Sequence, residues 1–345
     1  MKSNTIIFCQ APADVPYVLS LYEQKIKPIS IYVINVEGVF KFLKSLNLDL
    51  DELTFIPYRD INLKNIRDVH SEKIRINNLF KKYFLNCEYA QVYFFSRFED
   101  WLTAAFINKL SKIKGVVINY LNHYDDTSAF DVKNKPRFRI RIYYFLLKYI
   151  TEINFVVKIQ EKLPEFPVHK YNIVQKPAIV SNDIFNKYAY TDKMIERHKP
   201  NALFFISDYQ DSIFAHDSYY ETIINIISIL HKSNYCVILK GHPRIGLPNA
   251  FRKAADAEIP SYVPGEFINM RDIKICIGLD TGAITYFARN QILPTYSLIR
   301  MAPAVNDRQI EILVDYLKKL SANKLQFIDD KVHLTEMLKN QLHAK

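Results

Sequence analysis

Val-Ile-Leu-Lys-Gly-His-Pro, residues 237–243, is the stretch that indicates the fold most clearly. An apolar run that stops at a glycine and a proline is typical of a buried strand that ends abruptly. Because ligands of open α/β sheets bind outside the carboxyl ends of the strands, we expect His242 to face a ligand, between the cations Lys240 and Arg244. Five of the chain's seven glycines lie in the same region, at positions 241, 246, 265, 278 and 282. Glycine lets a backbone approach a ligand closely, so this clustering favours a binding site over a histidine that only caps a strand.

The composition predicts a basic chain with a large core. Its 345 residues are 49% hydrophobic and carry a formal net charge of +10, which suits two domains. Such a charge favours an anionic partner, either a nucleotide, a nucleic acid or an acidic membrane face. The four cysteines are scattered without metal-binding spacing, so we expect reduced thiols. The sequence has no apolar run of ~18 residues and no recognisable signal peptide. We therefore expect a cytoplasmic protein, with any membrane contact peripheral.

Strand-like and helix-like segments alternate along the chain. The predicted strands cover 5–9, 29–36, 53–57, 90–95, 116–120, 154–158, 202–206, 235–239, 273–277 and 294–298. The predicted helices cover 16–24, 66–84, 99–110, 143–150, 218–231, 283–288, 308–320 and 332–342. This alternation predicts an α/β fold of two Rossmann-like domains with a cleft between them. We expect the domains to cover 1–180 and 181–345, connected by a segment with prolines at 164, 167 and 177 and the polar stretch 181–200.

A basic stretch follows the fifth predicted strand. It contains Lys133, Lys135, Arg137, Arg139 and Arg141, interleaved with Phe138, Ile140 and Ile142. One interpretation is a solvated face beside a core helix. The other is a contact for an acidic acceptor or for anionic lipid head groups.

Two adjacent carboxylates, Asp125 and Asp126, lie beyond that strand in the segment Tyr124-Asp125-Asp126-Thr127-Ser128. A carboxylate beside a like charge and partly removed from water has a raised pKa and can act as a general base. The pair could instead hold a divalent metal, or it could belong to a solvated loop or a helix cap. We interpret the Asp-x-Asp spacing that is usual in many sugar transferases as absent. We expect a base and no metal.

Three segments of the second half could bind a nucleotide. His242, in Lys240-Gly241-His242-Pro243-Arg244, can donate to a phosphate and stabilise a departing nucleotide. Asp280-Thr281-Gly282 precedes a predicted helix whose N-terminus attracts anions, unless it is a plain N-cap. Glu266, in the turn Pro264-Gly265-Glu266, could accept hydrogen bonds from a ribose.

Taken in order, these segments resemble the motifs of the bacterial sialyltransferases of the lipooligosaccharide and capsule type. That family carries an acidic pair followed by glycine, a Lys-Gly-His-Pro motif, a Pro-x-Glu turn and a Ser/Thr pair before a helix. The matching segments are 124–128, 240–243, 264–266 and 280–281, with 10–12 and 202–207 as further likenesses. The resemblance covers residues 5 to 300 as an order of motifs. It departs from the family at Thr127, where glycine is usual, and at Asp280, where a hydroxyl residue often stands.

The resemblance implies a GT-B fold and inverting transfer of sialic acid from CMP-sialic acid to a glycan hydroxyl, with neither a metal nor another cofactor. Asp125 or Asp126 would be the base, His242 and Thr281 would bind the CMP phosphate, and Glu266 would hold the ribose. The other donor-side residues would be Lys240, Gly241, Pro243, Arg244, Pro264, Gly265, Asp280 and Gly282. The acceptor-side residues would be Gln10, Tyr124, Thr127 and Ser128.

The partners implied are a nucleotide-sugar donor and a glycan or glycolipid acceptor, with a peripheral contact to the anionic inner membrane face and no nucleic acid. A homodimer is compatible with the sequence, which fixes neither the oligomeric state nor the acceptor and linkage. Two other functions stay open. The same fold could use CMP-Kdo or a UDP-sugar, or the chain could be a non-enzymatic basic α/β module that binds RNA or an anionic surface, although no recognised RNA-binding motif is present.

Overall fold

The structure is a computed structural model of the chain. It describes residues 4–24, 28–59, 65–95, 100–122, 137–153, 156–157, 164–165, 173–181, 183–191, 199–207, 216–243, 245–303 and 307–343. The chain forms two compact units. We call Met1–Ile184 unit 1 and Phe185–Lys345 unit 2.

Unit 1 is built on a parallel six-stranded sheet with the strand order β3-β2-β1-β4-β5-β8. Its strands are β1 Thr5–Cys9, β2 Ile29–Ile34, β3 Glu52–Ile56, β4 Gln91–Phe94, β5 Val117–Asn122 and β8 Val174–Pro177, and a short antiparallel pair adds β6 Val156–Val157 and β7 Pro164–Glu165. Its helices are α1 Val15–Gln24, α2 Glu37–Ser45, α3 Ile66–Phe84, α4 Trp101–Leu110 and α5 Arg137–Thr151. The short α6 Ile184–Lys187 begins at the boundary.

Aromatic side chains fill the core of unit 1. The Phe84 ring lies 4.7 Å from Tyr32, 5.1 Å from Phe106 and 5.7 Å from Phe8, between centroids. Tilted pairs at these separations add to the stabilisation that burial gives. The core therefore joins β1 and β2 to α3 and α4.

Unit 2 repeats the architecture with the strand order β11-β10-β9-β12-β13-β14, again parallel. Its strands are β9 Asn201–Phe205, β10 Cys236–Lys240, β11 Ala257–Ile259, β12 Ile273–Gly278, β13 Thr295–Ser297 and β14 Gln326–Phe327. Its helices are α7 His216–Lys232, α8 Asn249–Ala254, α9 Gly282–Arg289, α10 Asp307–Leu320 and α11 Lys331–His343.

Both units have the strand order that defines a Rossmann-type sheet: numbered from its own first strand, each reads 3-2-1-4-5-6. The predicted α/β class with two Rossmann-like halves is confirmed. In such a sheet the order reverses between the first and fourth strands, and the crevice at their carboxyl ends is where ligands bind. In unit 1 this point lies between β1 and β4, and in unit 2 between β9 and β12.

One prediction about unit 1 is confirmed in part and another was wrong. The strand predicted at 154–158 is present at Val156–Val157, where it pairs with Pro164–Glu165. The sixth sheet strand is instead Val174–Pro177, which we assigned to the connection; it pairs with β5. All four of its residues are exposed, so it has no apolar signal, and its proline suits an edge strand.

The four cysteines are free thiols. Burial raises the pKa values of the Cys9 and Cys276 thiols. Among the helices that the structure describes, none has both the length and the apolar character to cross a bilayer.

Candidate functional site

The predicted donor-side residues follow β10, β11 and β12, three strands of unit 2 that end level with β9. Lys240 at the end of β10 pairs with Phe205 on β9 and with Ile259 on β11, and Gly278 at the end of β12 also pairs with Phe205. Because the strands are parallel, the loops after them leave the same edge of the sheet. That edge includes the reversal point between β9 and β12, so the sequence-predicted residues lie where this topology binds ligands.

The Lys240 side chain is buried beneath these loops. Its Nζ donates to the carbonyl oxygens of Gly241, at 2.8 Å, and Ser261, at 2.9 Å. Burial lowers the pKa of Lys240 to about 8, against the opposing effect of the Glu266 and Glu258 carboxylates. The ammonium group thus ties the loop after β10 to the loop after β11, and its contact with a donor stays a prediction.

The loop that carries His242 is a tight turn. The Gly246 N–H donates to the His242 carbonyl oxygen at 2.8 Å, and Gly246 has a φ of 68°, which disfavours any residue with a side chain. A Cβ atom at Gly241 would lie 2.7 Å from the Gly246 backbone, so this position also requires glycine. His242 and Pro243 are half-buried at the end of β10. Arg244 lies outside the described residues.

Glu266 lies in a 3-10 turn, Gly265–Phe267, that follows Pro264. Its side chain is half-buried, and burial raises the pKa of the carboxyl group, against the opposing effect of Lys240. A Cβ atom at Gly265 would lie 2.5 Å from the Ala283 Cβ. The turn therefore contacts the first turn of α9 directly, which brings Glu266 and the start of that helix to one place.

Helix α9 begins beside the end of β12. Thr281 is its N-cap, and Thr281 Oγ1 accepts from the Ala283 N–H at 3.1 Å. A threonine hydroxyl that accepts one bond can still donate another, and the first N–H groups of a helix favour anions. The Asp280 N–H donates to Ser207 Oγ at 3.4 Å, which links the loops on both sides of the reversal point. Gly282 is exposed.

Gln10, the one described member of the predicted acceptor side, lies at the matching point of unit 1. Its Oε1 accepts from the Phe95 N–H at 2.9 Å, and its Nε2 donates to Asp100 Oδ2 at 2.6 Å. Asp100 also accepts from the Tyr58 hydroxyl at 2.7 Å and caps α4. Gln10 therefore joins the ends of β1 and β4. Asp125, Asp126, Tyr124, Thr127 and Ser128 lie outside the described residues.

The sequence reasoning did not find three residues that hold these edges together. Ser261 accepts from Lys240, Ser207 accepts from the Asp280 N–H, and Asp100 binds Gln10. Each lies shortly after a strand or at the start of a helix. A search for polar residues at predicted strand ends and helix starts would have identified Ser207 and Asp100, whereas the Ser261 contact uses a backbone carbonyl, which no side-chain pattern predicts.

The prediction that an Asp-x-Asp motif is absent was wrong, because Asp49-Leu50-Asp51 is such a triplet. It directly precedes β3, with both carboxylates exposed, so it lies at the amino edge of the sheet, away from the carboxyl ends. Within the described ranges, no group of three or more His, Cys, Asp or Glu side chains is placed to hold a metal ion.

Comparisons with known proteins give similar folds at low identity. No family model matches the chain, and no curated protein matches it. Among solved structures, S. aureus MnaA with UDP is 14% identical, with 100% of this chain and 89% of that chain covered and a TM-score of 0.47. The Methanocaldococcus jannaschii UDP-GlcNAc 2-epimerase is 13% identical (99% and 93% covered, TM-score 0.46). The spinosyn rhamnosyltransferase SpnG is 12% identical (98% and 92% covered, TM-score 0.44). Likeness at this level says nothing about the activity of this chain.

Proposed function

We propose that this chain is an inverting, metal-independent glycosyltransferase that moves sialic acid from CMP-sialic acid to a hydroxyl group of a cell-surface glycan. The observation that supports this most is the carboxyl edge of the unit 2 sheet. There a histidine, a partly buried carboxylate and the first turn of a helix lie on the loops after β10, β11 and β12, which end at one level. These groups match the parts of a nucleoside monophosphate: His242 and Thr281 for the phosphate and Glu266 for the ribose.

In this proposal the donor side stabilises the leaving group. The bond between the anomeric carbon of sialic acid and the CMP phosphate oxygen breaks, and negative charge develops on the phosphate. His242 and the N-terminus of α9 supply hydrogen-bond donors and positive potential there. Lys240 acts indirectly, because its ammonium group is bound to the Gly241 and Ser261 carbonyls beneath the loops.

The acceptor side supplies the base. Asp125 or Asp126 takes the proton of the acceptor hydroxyl, whose oxygen then attacks the anomeric carbon on the face opposite CMP. The products are a sialylated glycan with inverted configuration and free CMP. In the same proposal the acceptor is a lipooligosaccharide or capsule glycan. The enzyme is cytoplasmic, acts at the inner membrane face and forms a homodimer.

A screen of donors tests the proposal. The purified protein is incubated with CMP-sialic acid, CMP-Kdo or UDP-N-acetylglucosamine and a mixture of glycan acceptors, and released nucleotide is quantified. We expect CMP release from CMP-sialic acid that depends on the acceptor and persists in EDTA. Release from a UDP-sugar instead would favour another nucleotide-sugar transferase, and loss of turnover in EDTA that Mg²⁺ restores would contradict the metal-independent mechanism.

A further inference from the structure

The surface of unit 1 that α3 and α5 form together carries side chains that neither the core nor the candidate site uses. Tyr149 on α5 meets two residues of α3: its Oη lies 2.7 Å from His70 Nδ1, and its ring centroid lies 4.7 Å from Lys73 Nζ. Lys73 also pairs with Glu152 at 3.3 Å. His70 contacts Tyr149, and Lys73, further along α3, contacts Glu152, which directly follows α5. The two helices therefore run side by side in the same direction.

One turn towards the N-terminus of each helix, this register brings exposed apolar residues to the same surface. Ile66 lies four residues before His70 and is 80% exposed, and Phe145 lies four residues before Tyr149 and is 70% exposed. Ile142, a further turn back along α5, is 46% exposed. We call Ile66, Ile142, Phe145 and Tyr149 the α3–α5 patch. Single exposed apolar residues are ordinary, whereas a cluster on one surface marks an interaction site.

Positive side chains flank the α3–α5 patch. Lys148 is exposed beside the patch, and Arg67 is exposed next to Ile66. Of the nearby acids, Glu152 is paired with Lys73 and Lys112, and Asp68 is half-buried on the first turn of α3.

We propose that the α3–α5 patch binds the surface of an anionic lipid bilayer. Exposed aliphatic and aromatic side chains can enter the region between head groups and acyl chains, while flanking lysine and arginine side chains bind anionic head groups. Tyrosine is favoured at this depth because its ring is apolar and its hydroxyl is polar. The exposed cations Lys148 and Arg67 beside the patch favour an anionic bilayer over an apolar protein groove. Binding of the patch to a bilayer does not depend on which nucleotide sugar the protein uses. A negative result in the vesicle experiment therefore leaves the proposed donor untouched, and a negative donor screen leaves the bilayer proposal untouched.

The experiment is sedimentation of the full-length protein with vesicles of phosphatidylcholine alone or with phosphatidylglycerol added. We expect the bound fraction to be several-fold higher on the anionic vesicles and to fall when the salt is raised from about 0.1 M to 1 M. The double variant Ile66→Ser/Phe145→Ser should partition at least about tenfold more weakly, because it loses two apolar side chains from the contact. Lys148→Glu, which removes no apolar side chain, should weaken binding to the anionic vesicles alone.

The matched control is Ile312→Ser/Val332→Ser, which removes two exposed apolar side chains from unit 2. It should bind vesicles as the wild type does, and the melting temperatures of all variants should match. Equal binding by the patch variant and the wild type, or no binding by the wild type, would overturn the proposal. So would a change from dimer to monomer on size-exclusion chromatography without a change in vesicle binding, which would make the patch a contact between copies. A protein that binds single-stranded RNA instead of vesicles would overturn it too.

Discussion

The two sheets have the same strand order, but different kinds of residue lie at their carboxyl edges. In unit 1, Gln10 spans the reversal point by accepting from the Phe95 N–H and donating to Asp100, which also accepts from Tyr58. Polar side chains there satisfy one another. A ligand at this point would have to replace hydrogen bonds that the protein already makes.

In unit 2 the same edge is built from glycines and helix ends. Gly241 and Gly265 stand where a Cβ atom would collide with neighbouring atoms, and at Gly282 a Cβ atom would meet no described atom within 4 Å. The glycines at 241 and 265 therefore let the loops pack closely against neighbouring protein atoms, whereas the open space lies at Gly282, beside the first N–H groups of α9. The same strand order therefore gives a crevice in both units, and we expect the residues at the strand ends to decide which crevice binds a nucleotide.

The largest expected effect is the loss of turnover when the catalytic base of unit 1 is removed. Asp125→Asn and Asp126→Asn change carboxylates of unit 1, and whichever is the base should lose about 10²–10⁴ in turnover. Nucleotide binding should not change, so CMP should still raise the melting temperature of both variants. Initial rates and thermal shifts measure the two outcomes. If both variants keep wild-type turnover, neither aspartate is the base.

The next largest expected effect is the loss of turnover when His242 of unit 2 is replaced. His242→Ala should reduce turnover by about 10²–10³, because the leaving phosphate loses a hydrogen-bond donor. A sialyl donor whose leaving group is a weaker base than CMP, such as a dinitrophenyl sialoside, needs less help and should partly restore the rate of His242→Ala. It should not restore the rate of the aspartate variant, which still lacks a base. Equal rescue of both variants would contradict this division of roles.

A pair of glycine variants tests how tightly the turn at Gly265 packs against the start of α9. Gly265→Ala puts a Cβ atom 2.5 Å from the Ala283 Cβ, so we expect a loss of about 1–3 kcal/mol in the free energy of unfolding. Gly282→Ala is the matched control for stability, because its Cβ atom enters open space at the start of α9; it should change stability by no more than about 1 kcal/mol. Urea unfolding gives both values. Equal effects would mean that the turn at 265 does not constrain α9.

An effect of similar size on stability is a pH dependence from Lys240. Its pKa in the fold is lowered to about 8, below the ordinary value near 10.4 of an unfolded chain. The folded state therefore binds fewer protons than the unfolded state between these values, and stability rises with pH across that window. From pH 7 to pH 10 the wild type should gain on the order of 2 kcal/mol relative to Lys240→Met. A constant difference between the two proteins would show that the ammonium group is not buried as described.

The sequence predicted strands that carry apolar runs and missed those that do not. Cys236–Lys240 is buried at every residue and was found, whereas Val174–Pro177 is exposed and Ala257–Ile259 has only three residues, one of them a glutamate. Pairing with a neighbouring strand stabilises such segments, and that information is not local. His242 and Glu266 could be identified from their positions at strand ends. The Lys240 contact could not, because its partner Ser261 is 21 residues away in the sequence.

Hydrogen–deuterium exchange with and without CMP tests most directly the claim that the nucleotide binds at the open edge of unit 2. The account predicts slower exchange in peptides that cover 241–247, 260–267 and 279–284, and a weaker effect with UDP at the same concentration. Peptides from the edge of unit 1, 10–14 and 95–103, serve as the internal comparison. Protection of the unit 1 peptides with none at 241–247 and 279–284, or stronger protection by UDP than by CMP, would contradict it.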